Sequence, residues 1–335
     1  MKQLLVEETR NGWLECEHYG AICGVGPDST IPYALGDIER PMFLRSAGKP
    51  LQAIPVVQSG ALERYELNDQ ALALMTASHR GESIHMETMN RIMAQMELDE
   101  HHLICLPTYP LNDIAKVQWI REGGFERRAF HNCAGKHFGV LGWSKLAGYE
   151  LDSYTELSHP AQQQIVQTLA DMSETPIEHM QPGTDGCGFP VFALPLRGLA
   201  TAYLKLACPE LIADESMRSA VTRIAAAMQA HPLLVGGTGR IDSVLMEDDN
   251  IVAKGGFKGI FAFALRKEQL GFAFKVADGS DEEWALIVAS ILEQIGYERT
   301  ATIERIKAAF PETIYNDNRI EVGRSRAVFT LQHED

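Results

Sequence analysis

Ser46 and Lys49 lie three residues apart in RSAGKP, residues 45–50. Pro50 is tolerable only near the first turn of a helix, so the segment reads as a helix start. On such a turn the two side chains share a face, and the lysine amine reaches the serine hydroxyl. A serine is a weak nucleophile until its proton is removed. A lysine removes it only when neutral, which burial or a neighbouring cation favours. The free N–H groups of the same helix start suit an oxyanion beside Ser46. Ser-x-x-Lys is also a common tetrapeptide, and a capping serine with a solvated lysine is its ordinary explanation.

Two further segments add groups of the same kind. In ASHRGESIH, residues 77–85, Ser78 sits among His79, Glu82 and His85. It either relays a proton to a leaving group or caps the helix that follows, and composition alone favours the cap. In AKGG, residues 253–256, Lys254 precedes two glycines that let a ligand approach the backbone. A second lysine near Lys49 helps one of the two stay neutral; otherwise Lys254 is a solvent-facing strand residue.

Cys133 and Cys187 each occupy the middle of a glycine-rich loop, HNCAGKHFG (131–139) and GTDGCGFP (183–190). Two thiolates and a third donor would make a zinc site with one open position, and His137 is the most conventional third ligand by residue type. Buried inert cysteines are the ordinary alternative. Asp185, beside Cys187, suits an ammonium group. HPLLVGGTGR (231–240) has phosphate-loop glycines without the Gly-Lys-Ser/Thr ending, and no dinucleotide pattern occurs, which argues against ATP and NAD. The tract is a ligand-closing loop or a tight connection.

The elements that must hold these residues are legible in outline. Residues 13–37 read as short strands broken by the turn cluster GPDST. Met86, Met89, Ile92, Met93 and Met96 recur at helical spacing between Ser78 and Leu98, the pattern of a helix with an adaptable buried face. Helices are expected from Ser158, with Ser158 as cap and Pro160 in the first turn, from Asp214, and over 281–297. Residues 251–278 read as an antiparallel three-strand meander, and RIEVGRSRAVFTLQ near the end as strand. Strands near both termini with helices between them indicate an α+β protein whose chain ends complete one antiparallel sheet around an inserted helical region. A single unit over 1–335, with a helical lobe at about 60–240, is expected.

Composition excludes several classes. The 335 residues carry 45 acidic and 30 basic side chains, a formal charge of −15, which opposes binding by phosphate neutralisation and so excludes a nucleic-acid partner. No stretch approaches the roughly twenty apolar residues of a membrane span. Six scattered cysteines are too few for a disulfide framework, and MKQLLVEETRNGWLE has no apolar core of signal-peptide length. A cytoplasmic location follows as the expectation.

Taken in order, RSAGKPLQAIP, ASHRGE, HNCAGKH, DGCGFP, HPLLVGGTGR and the span from KGG to KVADG resemble the asparaginase II family of the thermolabile, rhizobial type, from about residue 10 to about residue 290. The resemblance implies hydrolysis of L-asparagine to L-aspartate and ammonia, a fold similar to serine β-lactamases and glutaminases, a Ser-Lys apparatus, a bound Zn2+ and a homodimer. Residue by residue it implies Ser46, Lys49, Ser78 and Lys254 as catalytic, with Lys275 the second candidate for the last role. It implies Cys133, Lys136 and Cys187 as zinc ligands, although a lysine must lose its proton to bind. With Lys136 as ligand, His137 moves to substrate contact; Arg45 is expected to meet the substrate carboxylate and Asp185 its ammonium. The family pattern HNCSGKHAG is altered at Ala134 and Phe138, GAEG becomes GFKG at Phe257 and Lys258, and the arginine after the late Asp-Gly is missing. The rivals are a zinc-hydroxide hydrolase, a β-lactam-hydrolysing enzyme, a glutaminase and a non-catalytic amino-acid sensor.

Overall fold

A computed structural model describes residues 2–332 and puts both ends of the chain in one antiparallel sheet. Strand β1 (Gln3–Arg10) turns at Asn11 and Gly12 into β2 (Trp13–Val25). A short β3 (Tyr33–Leu35) pairs back onto β2. Strands β4 (Pro41–Phe43), β5 (Gln181–Thr184) and β6 (Pro190–Pro195) form a separate small sheet in the order β4-β6-β5. The meander follows as β7 (Ile251–Gly255), β8 (Ile260–Leu265) and β9 (Leu270–Val276). After two helices, β10 (Thr313–Tyr315) and β11 (Glu321–Ala327) return to β1, giving the order β10-β11-β1-β2-β9-β8-β7. The protein is α+β, with the helices inserted between the two groups of strands as the sequence indicated.

The meander is apolar on both faces because both are covered. Phe261, Phe263, Phe272 and Phe274 alternate onto one face, where Phe263 and Phe272 stack at 5.2 Å and Trp284 packs 5.1 Å from Phe261. Ala262, Ala264, Gly271 and Ala273 line the other face. Their small size lets helix Leu196–Ala207 approach closely, and a Cβ at Gly271 would lie 2.3 Å from the Ala200 carbonyl. The site therefore rests on a rigid, doubly covered sheet.

Several local expectations shift. Residues 13–25 form one long strand, β1 precedes it, and β5 and β6 of the small sheet lie inside the region read as helical, with β4 before it. The methionine-rich helix begins at Ser83 (Ser83–Met96), not Ser78, and the Glu82 N–H donates to His85 Nδ1 at 3.2 Å. The helix expected at Ser158 is Pro160–Ser173, capped by His159, whose Nδ1 accepts from the Ala161 N–H. An imidazole nitrogen does there what a hydroxyl was expected to do. Asp214 does cap its helix, accepting from the Met217 N–H at 2.7 Å. Among the described residues no helix is long and apolar enough to cross a membrane.

Candidate active site

RSAGKP does not open a long helix. Arg45–Gly48 is a 3-10 turn, Lys49–Gln52 a single α turn, and Ile54–Gln58, with Pro55 in its first turn, another short piece. Two prolines so close together break the N–H ladder, so the site has no long macrodipole and depends on individual donors. Arg45 enters the turn at φ +49, a left-handed conformation costly for a residue with a Cβ. The turn lays Ser46 on a cleft of about 440 Å3. Among the described residues, Ser46 Oγ makes no hydrogen bond and the Ser46 N–H has no backbone acceptor.

The same cleft is lined by Ser78, Lys254, Cys133, Cys187, Arg45 and Asp185. Lys49 is buried behind it. Its amine donates to the carbonyls of Ala77 (2.5 Å) and Asn132 (3.2 Å) and to Ser78 Oγ (3.2 Å), not to Ser46. The expected direct pair of Ser46 with Lys49 is thus replaced by a pair of Lys49 with Ser78. Ser78 is no helix cap: it is fixed by its own N–H, which donates to the Val235 carbonyl at 3.0 Å.

Lys254, at the end of β7, is 1 % exposed, donates to the Gly255 carbonyl at 2.7 Å and lies 3.8 Å from Asp242. Burial pulls its amine down to about 8; Asp242 opposes this, while Lys49 and Arg240 reinforce it. Asp242 also accepts the Gly255 N–H. Gly255 must be a glycine, because a Cβ there would press on Trp284 at 2.6 Å and on Asp242 at 3.1 Å. Lys275 lies elsewhere. It lines a neighbouring cavity of about 620 Å3 that shares Arg45 and Phe257 with the cleft, and its amine donates to the Lys258 carbonyl. That cavity is larger but lacks Ser46 and Ser78.

Cys133 and Cys187 face one another from separate loops. The hydrogen bond from Cys187 holds the Cys133 thiol well below its ordinary range, against the effect of burial, and Lys49, His131 and Lys136 add to this. Cys187 is displaced upward in return, by that same hydrogen bond and by burial. Lys136 Nζ is 3.5 Å from Cys187 Sγ and 3.9 Å from the centre of the Phe189 ring. Two sulfurs and an amine suit a borderline-soft ion such as Zn2+, so these residues fit the metal.

His137 does not reach the cleft. It is fully buried, with Nδ1 2.6 Å from the Tyr154 hydroxyl and its ring edge-on to Phe189, so the expected substrate contact is not met. Lying one residue after Lys136, it points to a different side of helix Ala134–Ala147. His131 lines the cleft instead. Arg45 and Asp185 are not separate anchors either, since Arg45 Nη2 pairs with Asp185 Oδ1 at 2.7 Å.

Asn132, Arg240, Asp242, Asp281 and Trp284 also line the cleft and were not singled out by sequence. Arg240 and Asp242 end the glycine tract whose position was the available signal. That tract is a tight connection tied to the cleft wall: Glu82 accepts from the Thr238 hydroxyl at 2.5 Å, and His85 Nε2 lies 2.9 Å from the Leu233 carbonyl.

A family model described as L-asparaginase II matches residues 6–327, nearly the whole chain. No curated protein matches the chain. Among solved structures, the chain is similar to a β-lactamase from Mycobacterium bovis, 14 % identical over 82 % of this chain and 94 % of that one, with a TM-score of 0.40. It is similar also to a variant of simvastatin synthase from Aspergillus terreus, 13 % identical over 77 % and 84 %, with a TM-score of 0.35.

Proposed function

The chain belongs to the L-asparaginase II family, and on that premise we propose that it hydrolyses L-asparagine to L-aspartate and ammonia with Ser46 as nucleophile. The observation that carries the reading is a serine hydroxyl without a hydrogen bond in the cleft that also holds Ser78, itself paired with Lys49, and Lys254. Ser46 Oγ attacks the side-chain carboxamide as its proton passes by way of Ser78 to the Lys49 amine. The Ser46 N–H stabilises the oxyanion, a contribution of about 3 kcal/mol for one such donor. Ser78 delivers a proton to the departing ammonia, and Lys254 supports Ser78. Water then attacks the β-aspartyl ester, and Ser46 recovers its proton by the reverse route.

Cys133, Lys136 and Cys187 would hold Zn2+ at the cleft wall. When bound, the ion supplies a fixed positive charge that shapes the pocket and orients substrate, its Lewis acidity reduced by two thiolates. The Arg45–Asp185 pair offers one charge to each end of the amino-acid backbone. The reading extends to a homodimer working in the cytoplasm; exposed apolar Ile114 and Phe125 support the first and six free cysteines the second.

A coupled ammonia assay on asparagine and glutamine tests the function. Release from asparagine that disappears in Ser46→Ala is the expected result. Full activity in Ser46→Ala, with loss on chelation, would instead establish metal-hydroxide chemistry.

A further inference from the structure

A second set of metal-ligating side chains lies outside the cleft. Cys16 and His18 are two residues apart on β2 and so share a face, and Cys16 sits directly across from Glu8 of β1. One donor atom from each of Glu8, Cys16 and His18 falls within 4.8 Å of the others. Glu283, the residue before helix Trp284–Gln294, closes over this face with its side chain only 3 % exposed.

Two atoms of this group are orphaned. His18 Nδ1 is 2.8 Å from Asp278 Oδ2, which fixes the ring and leaves Nε2 buried without a hydrogen-bond partner among the described residues. Glu283 Oε2 is buried and unpartnered too. His18 Nε2 and Glu283 Oε1 are 3.3 Å apart, misaligned for a hydrogen bond. That separation is what two ligands about 2.0–2.1 Å from one tetrahedral ion would show, roughly 3.3 Å. Three carboxyl groups, a thiol and an imidazole are together the donor types that a dication of the zinc class accepts.

We propose that Glu8, Cys16, His18 and Glu283 bind a divalent ion of the zinc class. Asp278 is the carboxylate that orients the metal-bound histidine. Glu8, Cys16 and His18 form the cluster, and Glu283, 3.3 Å from His18 Nε2, would complete it as a fourth donor and make the site structural. It fastens the N-terminal hairpin to the start of helix Trp284–Gln294, and Ser325 of β11, which donates to Glu8 Oε1 at 2.9 Å, joins the third strand to the same point. None of the four proposed ligands lines the catalytic cleft.

The test is metal content and thermal stability of the full chain, stripped with chelator, reloaded with Zn2+ or Co2+ and desalted. The Cys16→Ser/His18→Gln double variant is expected to hold about one equivalent less than the wild type and to gain less in Tm on adding Zn2+. In a Cys133→Ser/Cys187→Ser background, Co2+ is expected to give a thiolate charge-transfer band that disappears on adding Cys16→Ser. Glu283→Gln, which keeps the shape of the side chain, is expected to weaken Zn2+ binding at least about tenfold and serves if the double variant does not fold. Wild-type metal content in the double variant, unchanged Zn2+ affinity in Glu283→Gln, or a wild type that takes up neither ion overturns the assignment.

Discussion

The amine of Lys49 donates to Ser78 Oγ at 3.2 Å, while Ser46, three residues earlier in the chain, is not among its partners. Two of its positions are taken by the carbonyls of Ala77 and Asn132, which accept hydrogen and nothing else. The third contact is the one to Ser78. Proton traffic between Lys49 and the reacting atoms therefore passes beside Ser78, which makes Ser78 a member of the relay.

Ser46→Ala is expected to lower kcat on asparagine by about a thousandfold or more, since the covalent step is lost. Ser78→Ala should cost less, about a hundredfold to ten-thousandfold, the range of one general acid–base group. Ser46→Ala should keep the wild-type stability within about 1 kcal/mol, because its hydroxyl makes no hydrogen bond, whereas Ser78→Ala takes an acceptor from the buried Lys49 amine and should cost about 1–3 kcal/mol. Steady-state kinetics with thermal melts decides, and an active Ser46→Ala would remove the nucleophile from the proposal.

How much of this was legible in the sequence follows from the range of the interactions. The meander, the helix at Asp214 and the body of the methionine-rich helix, though not its start, were visible because periodicity and capping are local. Composition alone favoured a cap at Ser78, and only the resemblance pointed to catalysis, because its partners Lys49 and Val235 lie far away in the chain. His137 was placed in the cleft because a motif gives spacing but not the side of the helix that faces substrate. Asp242 was passed over because its partner Lys254 lies on a strand that only the fold brings near.

Lys254 gives two pH signatures. Its amine is drawn from 10.5 to about 8 by burial, so between those pH values the unfolded chain binds the extra proton. Stability should therefore rise with pH across that window, at most by about 1.4 kcal/mol per unit, because the cost of burying a charged amine fades as it deprotonates. Below pH 8 both states are protonated and the cost is fully present. Comparison of wild type with Lys254→Met in denaturant titrations isolates the effect: the difference between their stabilities should shrink steadily from pH 8 to 10.

The rate carries the second signature. If protonated Lys254 supports Ser78, kcat/KM on asparagine falls as pH rises through about 8. Lys254→Arg keeps the charge over this range and should lose that limb while retaining part of the activity. A falling limb unchanged in Lys254→Arg would assign it to another group.

Arg45 pairs with Asp185 at 2.7 Å across the cleft, and substrate must insert between them or bind against the pair. Asp185→Asn is expected to raise KM for asparagine about tenfold or more with a smaller change in kcat, since a charged contact to the ammonium is lost. Arg45 also holds φ +49. Arg45→Gly should accordingly be about 1 kcal/mol more stable than Arg45→Ala, although both lack the guanidinium. Equal melting points for the two would show that the turn relaxes once the ion pair is gone.

The sulfur pair decides what metal does in the cleft. Cys133→Ser/Cys187→Ser removes both thiols but leaves Ser46, Ser78 and the two lysines in place. If zinc there orients substrate, the variant should keep measurable kcat while KM for asparagine rises about tenfold to a hundredfold, the usual cost of disturbing a metal's surroundings. Added Zn2+ should no longer change either constant. Ammonia release by chelator-treated wild type, set beside this variant, separates the cleft metal from any other, because chelation strips every site and the substitutions only one. A loss of kcat of about a thousandfold or more in the correctly folded variant, with KM unaffected, would mean that the metal takes part in bond breaking and that the serine is not sufficient.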